Sequence, residues 1–255
     1  MTTRDAAPAG APTWIELFTG DAAKARAFYG GLFGWEAEEP NEEFGGYFTF
    51  TKDGVPVAGG MVNDGSTGQP DTWTVYFDTA DAQATADTAV AAGATLIDGP
   101  VEMMDLGTGT YLTDPTGVNV ATWQPGTHTG LGAVAEPGAP SWFELLSRDY
   151  DTAVAFYSKV FSLDVNVASD TPEFRYSTLK SGGDEVVGIM DGSAFLPEGA
   201  PARWAVYIQV EDAEATAAKA VELGGAVVQG PDDTPYGKLV VLTDPTGVEV
   251  KLQQP

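Results

Sequence analysis

An internal repeat is the feature that most constrains how this chain can fold. The segment PTWIELFTGDAAKARAFYGGLFGW, which begins at Pro12, returns as PSWFELLSRDYDTAVAFYSKVFSL at Pro140. Further along each copy, WTVYF returns as WAVYI, and DPTGV returns unchanged. Repetition at this spacing indicates two copies of one folding unit joined in a single chain.

Each copy contains one alternation of elements twice. In the first copy, strand-like WIELF precedes an Ala-rich helix predicted over about residues 21–32, with Asp21 as its N-cap and Gly34 as its stop. The extended segments GYFTFTK and VPVAGGM follow, and then WTVYF restarts the pattern with a second helix over about residues 81–92. The predicted unit is therefore βαβββ, and four such units fill the chain. This pattern predicts an α+β fold, with mixed sheets that carry helices on one face.

Local composition predicts the boundaries between the parts of the chain. Residues 1–11 are polar and lack an apolar run, which predicts a disordered leader. Residues 12–125 form the first predicted domain and residues 140–255 the second, each with two βαβββ units. Residues 126–139 between them are rich in Gly and Pro, as linkers are. The linker contains His128, for which the sequence predicts no role.

Composition excludes several classes of function. The chain has 37 acidic and 12 basic residues and a net charge of −25, which repels nucleic acid and anionic lipid. It has no cysteine, which excludes disulfides, thiolate metal sites and a cysteine nucleophile, and its single histidine excludes any two-histidine metal site. No apolar run approaches the ~20 residues that cross a bilayer. We therefore expect a cytoplasmic protein with no nucleic-acid or membrane partner.

The repeated motifs resemble those of a known family. The strand–Asp–helix–FY–Gly opening and the DPTG before the last strand, each present twice, are similar to the vicinal oxygen chelate superfamily. That superfamily includes glyoxalase I, bleomycin-resistance proteins and extradiol dioxygenases, and the resemblance covers the chain from Pro12 onward. It implies two glyoxalase/bleomycin-resistance-like domains, in which paired βαβββ units form curved mixed β-sheets around a cavity. Single-domain relatives dimerise, so two fused copies imply a pseudo-dimeric monomer or a homodimer. Which units pair with which is left open.

The resemblance also locates the positions at which metal-dependent members carry ligands, usually His or Glu from each of four strands. In this chain those positions hold side chains unsuited to a metal: Trp14, Gly60, Thr74 and Ala121 in the first copy, and Trp142, Ile189, Ala205 and Lys251 in the second. A threonine hydroxyl is a poor lone donor, and a lysine ammonium repels a cation. We therefore expect no metal site and no cofactor in either copy.

Alternation along the predicted strands indicates which side chains face the cavity. The predicted inward residues include one glutamate in each copy, Glu16 and Glu144, set between aromatic or apolar neighbours. Burial there would raise the pKa of a carboxyl group, which makes both candidate catalytic acids or bases, although a structural role is the competing interpretation. The candidate ligand-binding residues are Trp14, Phe18, Tyr76, Trp123, Trp142, Tyr207 and Gln209.

These features favour one function and leave a second open. The first is a metal-free protein that binds a hydrophobic or aromatic small molecule, a metabolite or an antibiotic, in an aromatic-lined cavity. The second is a metal-independent enzyme of secondary metabolism or aldehyde detoxification, of the lyase, isomerase or hydroxylase type, that uses a cavity glutamate. A metal-dependent glyoxalase or dioxygenase is disfavoured because the ligands are missing.

Overall fold

A computed structural model describes residues 4–255, so residues 1–3 of the expected leader lie outside the described part of the chain. The described residues form four α-helices and sixteen strands. The helices are α1 (Ala22–Phe33), α2 (Ala82–Ala91), α3 (Tyr150–Phe161) and α4 (Ala213–Glu222). The strands of the first half are β1 (Pro12–Thr19), β2 (Glu36–Ala37), β3 (Phe48–Lys52), β4 (Val55–Val62), β5 (Thr72–Asp78), β6 (Thr95–Met103), β7 (Gly107–Thr113) and β8 (Asn119–Pro125). Those of the second half are β9 (Pro140–Ser147), β10 (Asp164–Asp170), β11 (Arg175–Ser181), β12 (Asp184–Asp191), β13 (Arg203–Gln209), β14 (Ala226–Thr234), β15 (Gly237–Thr243) and β16 (Glu249–Gln254).

The four α-helices begin in the same way, because each follows an aspartate that caps it. Each capping carboxylate accepts a hydrogen bond of 2.9–3.2 Å from the backbone N–H three residues later, which satisfies a donor that a helix start leaves free. The caps are Asp21, Asp81, Asp149 and Asp212. Helix α1 ends at Gly34, whose positive φ of 71° is readily adopted only by glycine. The predicted start and stop of this helix are therefore confirmed.

Each half forms one open, curved, eight-stranded mixed sheet. The strand order is β2-β3-β4-β1-β5-β8-β7-β6 in the first half and β10-β11-β12-β9-β13-β16-β15-β14 in the second. The first strands of the two units within a half lie side by side and run antiparallel, β1 with β5 and β9 with β13. The predicted α+β class is confirmed, and the question of pairing is answered: each unit pairs with the other unit of its own half.

The two halves pack through their helix-bearing faces. Helix α1 contacts α4, and α2 contacts α3. The hydroxyl of Tyr157 donates to Asp114 Oδ2 at 2.8 Å, and that of Tyr29 donates to Asp244 Oδ2 at 3.1 Å. Each DPTG aspartate also accepts hydrogen bonds within its own turn through Oδ1. The repeated FY and DPTG motifs therefore join the two halves, in addition to their roles in core and turn, and the opposite face of each sheet is left for a site.

The segments that were expected to be a disordered leader and a linker lie against the folded halves. Arg4 N donates to Gly132 O at 2.7 Å, and Ser181 Oγ donates to Ala9 O at 2.7 Å. The indole of Trp35 donates to the carbonyl of Gly138 at 2.7 Å. Residues 4–11 and 126–139 are therefore held by hydrogen bonds. No helix within residues 4–255 is both long enough and apolar enough to cross a membrane.

Candidate functional site

A buried hydrogen-bonded cluster lies at the centre of the first sheet, on the face away from the helices. Register places Glu16 of β1 beside Thr74 of β5, and the side chain of Tyr76 reaches back to it. Tyr76 Oη donates to Glu16 Oε2 at 2.9 Å and lies 3.2 Å from the hydroxyl of Tyr111 on β7. Tyr47, just before β3, faces Glu16 from the other side. We call Glu16, Tyr47, Tyr76 and Tyr111 the first centre.

Burial decides the protonation of the first centre. Glu16 is 8% exposed, and its removal from water raises the pKa of its carboxyl to about 7, an effect that the hydrogen bond from Tyr76 only partly offsets. Burial and the nearby carboxylate also raise the pKa of the Tyr47, Tyr76 and Tyr111 hydroxyls. At neutral pH the tyrosines are therefore neutral donors, and the carboxyl of Glu16 is partly protonated.

The second sheet carries a matching cluster with one important difference. Tyr207 Oη donates to Glu144 Oε1 at 3.0 Å, as Tyr76 does to Glu16. Lys251 Nζ then lies 3.0 Å from Glu144 Oε1 and 2.9 Å from Tyr207 Oη, so the carboxylate belongs to a buried ion pair. Tyr176 contacts Glu144 as Tyr47 faces Glu16. We call Glu144, Tyr176, Tyr207 and Lys251 the second centre.

The two centres differ because the residues at two paired strand positions differ between the halves. Ala121 pairs with Tyr111 in the first sheet, where Lys251 pairs with Val241 in the second. The tyrosine hydroxyl of the first half and the lysine ammonium of the second half therefore occupy equivalent places, each within hydrogen-bonding reach of the central tyrosine. One half presents a neutral donor beside its glutamate, and the other presents a cation.

Aromatic side chains flank both centres. The indole Nε1 of Trp142 donates to Tyr176 Oη at 3.1 Å, and Trp14 contacts Tyr47 in the same way. At the first centre, Trp123 of β8 lies at the same end as Trp14. The predicted inward orientation of Trp14, Glu16, Tyr76, Glu144 and Tyr207 agrees with these contacts. Their roles in binding or catalysis remain predictions.

His128 lies between these tryptophans, although the sequence predicted no role for it. Its imidazole meets the ring of Trp14 edge-on at 4.5 Å and that of Trp123 at 5.6 Å, and the Trp123 indole donates to the His128 carbonyl at 2.8 Å. Burial lowers the pKa of its imidazole, and its buried Nε2 has no hydrogen-bond partner within residues 4–255. The position of His128 in a Gly-rich segment hid this placement, because the contacts depend on how the segment folds back.

The remaining predicted residues lie further from the centres. Phe18 is half-buried, two residues along β1 from Glu16, and pairs with Met61 and Thr72. Gln209 is half-buried at the end of β13, where its backbone bonds to Gly138 and Ala139. Neither side chain joins the hydrogen-bonded clusters.

An aromatic rim that strand alternation does not indicate borders the second centre. Phe174 stacks on Tyr176 with ring centroids 5.8 Å apart, and Phe195 meets Phe174 edge-on at 6.3 Å. Phe174 is 41% exposed and Phe195 is 53% exposed. Both lie in loops, where strand alternation gives no signal.

The molecule has two further cavities. One, of about 200 Å³, lies between the halves beside Trp73 and Trp204. The other, of about 340 Å³, lies between residues 4–12 and β9, and Arg4 and Trp142 are among the residues that line it. Glu16 and Glu144 line neither of them.

Comparison with known proteins identifies the family to which this chain belongs. The model of the Glyoxalase/Bleomycin resistance protein/Dioxygenase superfamily matches residues 12–122 and 139–252. The chain belongs to that superfamily. It is 37% identical over 251 residues to "Putative glyoxylase CFP32" of Mycobacterium bovis, covering 96% of this chain and 95% of that protein. It is also 37% identical over 260 residues to "Anthracycline biosynthesis protein DauV" of Streptomyces sp. (strain C5), covering 93% and 90%.

Solved structures share the fold of this chain. The Mn(II)-bound glyoxalase from Novosphingobium aromaticivorans matches with a TM-score of 0.69 at 17% identity, covering 97% of this chain and 82% of that one. The 2,3-dioxygenase LapB from Pseudomonas sp. KL28 matches with a TM-score of 0.68 at 14% identity, covering 98% and 94%. At these identities the likeness establishes the fold alone.

The two centres do not fit the metal ion that metal-dependent superfamily members hold. At the second strand position, near Gly60 and Ile189, the residues that pair with Glu16 and Glu144 on the cavity face are Gly59 and Gly188. Neither glycine offers a side-chain donor to a metal. The first centre provides one carboxyl and tyrosines whose raised pKa values keep their protons on, and the second holds an ammonium. Among residues 4–255, no three His, Cys, Asp or Glu side chains cluster as metal ligands.

Proposed function

We propose that this protein binds a planar aromatic small molecule on the cavity faces of its sheets without a metal ion. The observation that carries the proposal is the composition of the two centres: a glutamate and tyrosine hydroxyls in hydrogen-bond contact, flanked by tryptophan. Aromatic walls suit a flat apolar ligand, and a few convergent polar groups fix its orientation. The donor sets at both centres argue against a bound cation.

The polar groups of the two centres indicate which chemical class of aromatic ligand they would bind. Neutral tyrosine hydroxyls donate to carbonyl oxygens, and a carboxylate accepts from a ligand hydroxyl. A flat ring system that carries carbonyl and hydroxyl oxygens satisfies both. The name of the relative DauV, an anthracycline biosynthesis protein, supports this class, because anthracyclines are planar polycyclic compounds with such oxygens.

A titration of chelator-treated protein with alizarin, a dihydroxyanthraquinone, tests the proposal. The chain has 6 tryptophans, and Trp14 and Trp142 border the centres, so binding should quench intrinsic fluorescence saturably. Mass spectrometry of the recovered ligand should then return alizarin unchanged. The absence of saturable quenching by alizarin and by a panel of related aromatic metabolites and aldehydes would refute binding of this class.

A second function is favoured by one observation, the protonation of Glu16. A carboxyl with a pKa of about 7 is well matched to take up and release protons at neutral pH, as a general acid or base must. A metal-independent enzyme that moves a proton on a carbonyl or polyketide-like substrate would use it. Recovered ligand with altered structure would indicate this activity. Glu16→Gln should then abolish the alteration and leave binding intact, and unchanged turnover in Glu16→Gln, Glu144→Gln and the double variant would rule it out.

A further inference from the structure

The second centre offers a pair of groups that the first does not. Lys251 Nζ and Glu144 Oε1 are 3.0 Å apart, and their side chains are only 11% and 8% exposed. Within residues 4–255 the ammonium makes two hydrogen bonds, to Glu144 and Tyr207, so one of its three N–H groups is left for a ligand oxygen. Glu144, in turn, keeps acceptor capacity on its carboxylate.

A row of contacting aromatic rings extends from the protein surface to this ion pair. Phe195 contacts Phe174, Phe174 stacks on Tyr176, and Tyr176 lies against both Trp142 and Glu144. Phe195 and Phe174 are substantially exposed, Tyr176 and Trp142 are half-buried, and Glu144 is buried. Contiguous exposed apolar side chains are one mark of a ligand-binding groove. A flat ligand inserted along these rings would bring its leading edge to Lys251.

We propose, building on the function proposed above, that the second half selects planar aromatic ligands that carry a carbonyl and a hydroxyl on neighbouring carbons or across a ring junction. Lys251 donates to the carbonyl oxygen, and Glu144 accepts from the hydroxyl. A neutral ligand leaves the ion pair intact, so no unpaired charge is buried. The first half, with Tyr111 and Ala121 at the equivalent places, lacks the cation and binds such ligands more weakly.

Two probe ligands test the proposed role of Lys251 and Glu144 separately from the general binding of planar aromatic molecules. Alizarin carries the hydroxyl beside a carbonyl, whereas alizarin dimethyl ether has the same rings and carbonyls but no hydroxyl to donate. We expect wild-type protein to bind one alizarin tightly and to bind the ether at least tenfold more weakly. Lys251→Met should weaken alizarin binding about 10- to 100-fold, as expected for loss of a hydrogen bond to a charged group.

Lys238→Met is the matched control. It removes the same charge from the neighbouring strand β15, but the Lys238 ammonium contacts Glu214 of α4 on the helix-bearing face. This variant should bind alizarin as the wild type does. Transfer of the second centre's pair to the first half, in the double variant Tyr111→Val/Ala121→Lys, should add a second tight alizarin site.

The outcomes are distinguishable. Alizarin binding that is equally tight in Lys251→Met and wild type would overturn the inference and leave the proposed function standing. Failure of wild-type protein to bind either probe would refute the proposed function for this class, and the inference with it. If Lys251→Met fails to fold, as judged by its circular dichroism, the double variant decides: an unchanged stoichiometry of alizarin overturns the inference, and a second tight site supports it.

Discussion

The buried carboxyl of Glu16 makes protein stability depend on pH in a direction that can be worked out. Its pKa is raised from 4.5 to about 7 in the folded chain, so between these values the folded state holds a proton that the unfolded state has released. Stability therefore falls as pH rises from about 4.5 to about 7, and Glu16 has no further effect on either side of that window. Replacement of Glu16 by Gln removes this loss, because an amide keeps its hydrogens at every pH.

The size of the pKa shift of Glu16 gives the expected change in the free energy of unfolding. A shift from 4.5 to about 7 at 1.36 kcal/mol per unit corresponds to about 3 kcal/mol, an order-of-magnitude value for a fully buried group. For a chain of this length, 1 kcal/mol moves the melting temperature by roughly 2–4 °C. The melting temperature of Glu16→Gln relative to wild type should therefore rise by about 6–12 °C between pH 4.5 and pH 8.

Thermal unfolding followed by circular dichroism at several pH values measures this difference. Taking the variant relative to wild type at each pH cancels the contributions of the other titrating groups. Glu144→Gln is the matched comparison, and it should destabilise the protein at neutral pH by about 3–5 kcal/mol, because it leaves Lys251 buried without its partner. A melting-temperature difference between Glu16→Gln and wild type that is constant from pH 4.5 to pH 8 would refute the reasoning about Glu16.

Three further predictions concern the interface between the halves, the core and the linker. Tyr157→Phe leaves the buried Asp114 without its hydrogen bond from the other half and should cost about 1–3 kcal/mol in urea unfolding; an unchanged midpoint would contradict this. Gly60→Ala would place a Cβ 2.2 Å from the ring of Phe48, so thermal unfolding should show a destabilisation of about 1–3 kcal/mol, and an unaltered melting temperature would show that the ring has room to move. The imidazole of His128, the only histidine signal in the NMR spectrum, should titrate with a midpoint below 6.5 because it is buried, and a midpoint at or above that value would contradict its placement between the tryptophans.

Strand and helix periodicity in the sequence predicted most of the fold. Asp21 and Gly34 were identifiable because capping and left-handed termination depend on the local sequence. Alternation placed Glu16 and Tyr76 on one face, which the hydrogen bond between them confirms. The internal repeat established how many units there are, but it could not show that units pair within a half, because pairing depends on contacts distant in sequence.

The site residues that the sequence did not reveal lie in chain segments whose positions depend on how the chain folds back onto the sheets. Tyr47 and Tyr111 come from strands or turns whose inward residues were not assigned. In the folded chain Tyr111 contacts Tyr76, and Tyr47 lies near the carboxyl of Glu16. His128 and the rim of Phe174 and Phe195 lie in segments without periodicity. The equivalence of Tyr111 and Lys251 is visible only in three dimensions, since the two residues lie on non-equivalent strands.

We propose above that the glutamate–tyrosine centres bind an oxygenated aromatic ligand without a metal. Isothermal titration of alizarin into chelator-treated protein, repeated after addition of Mn²⁺ and removal of the unbound ion, tests it most directly. We expect saturable binding with the same affinity and stoichiometry in both preparations. Binding that is absent after chelation and is restored by retained Mn²⁺ would contradict it.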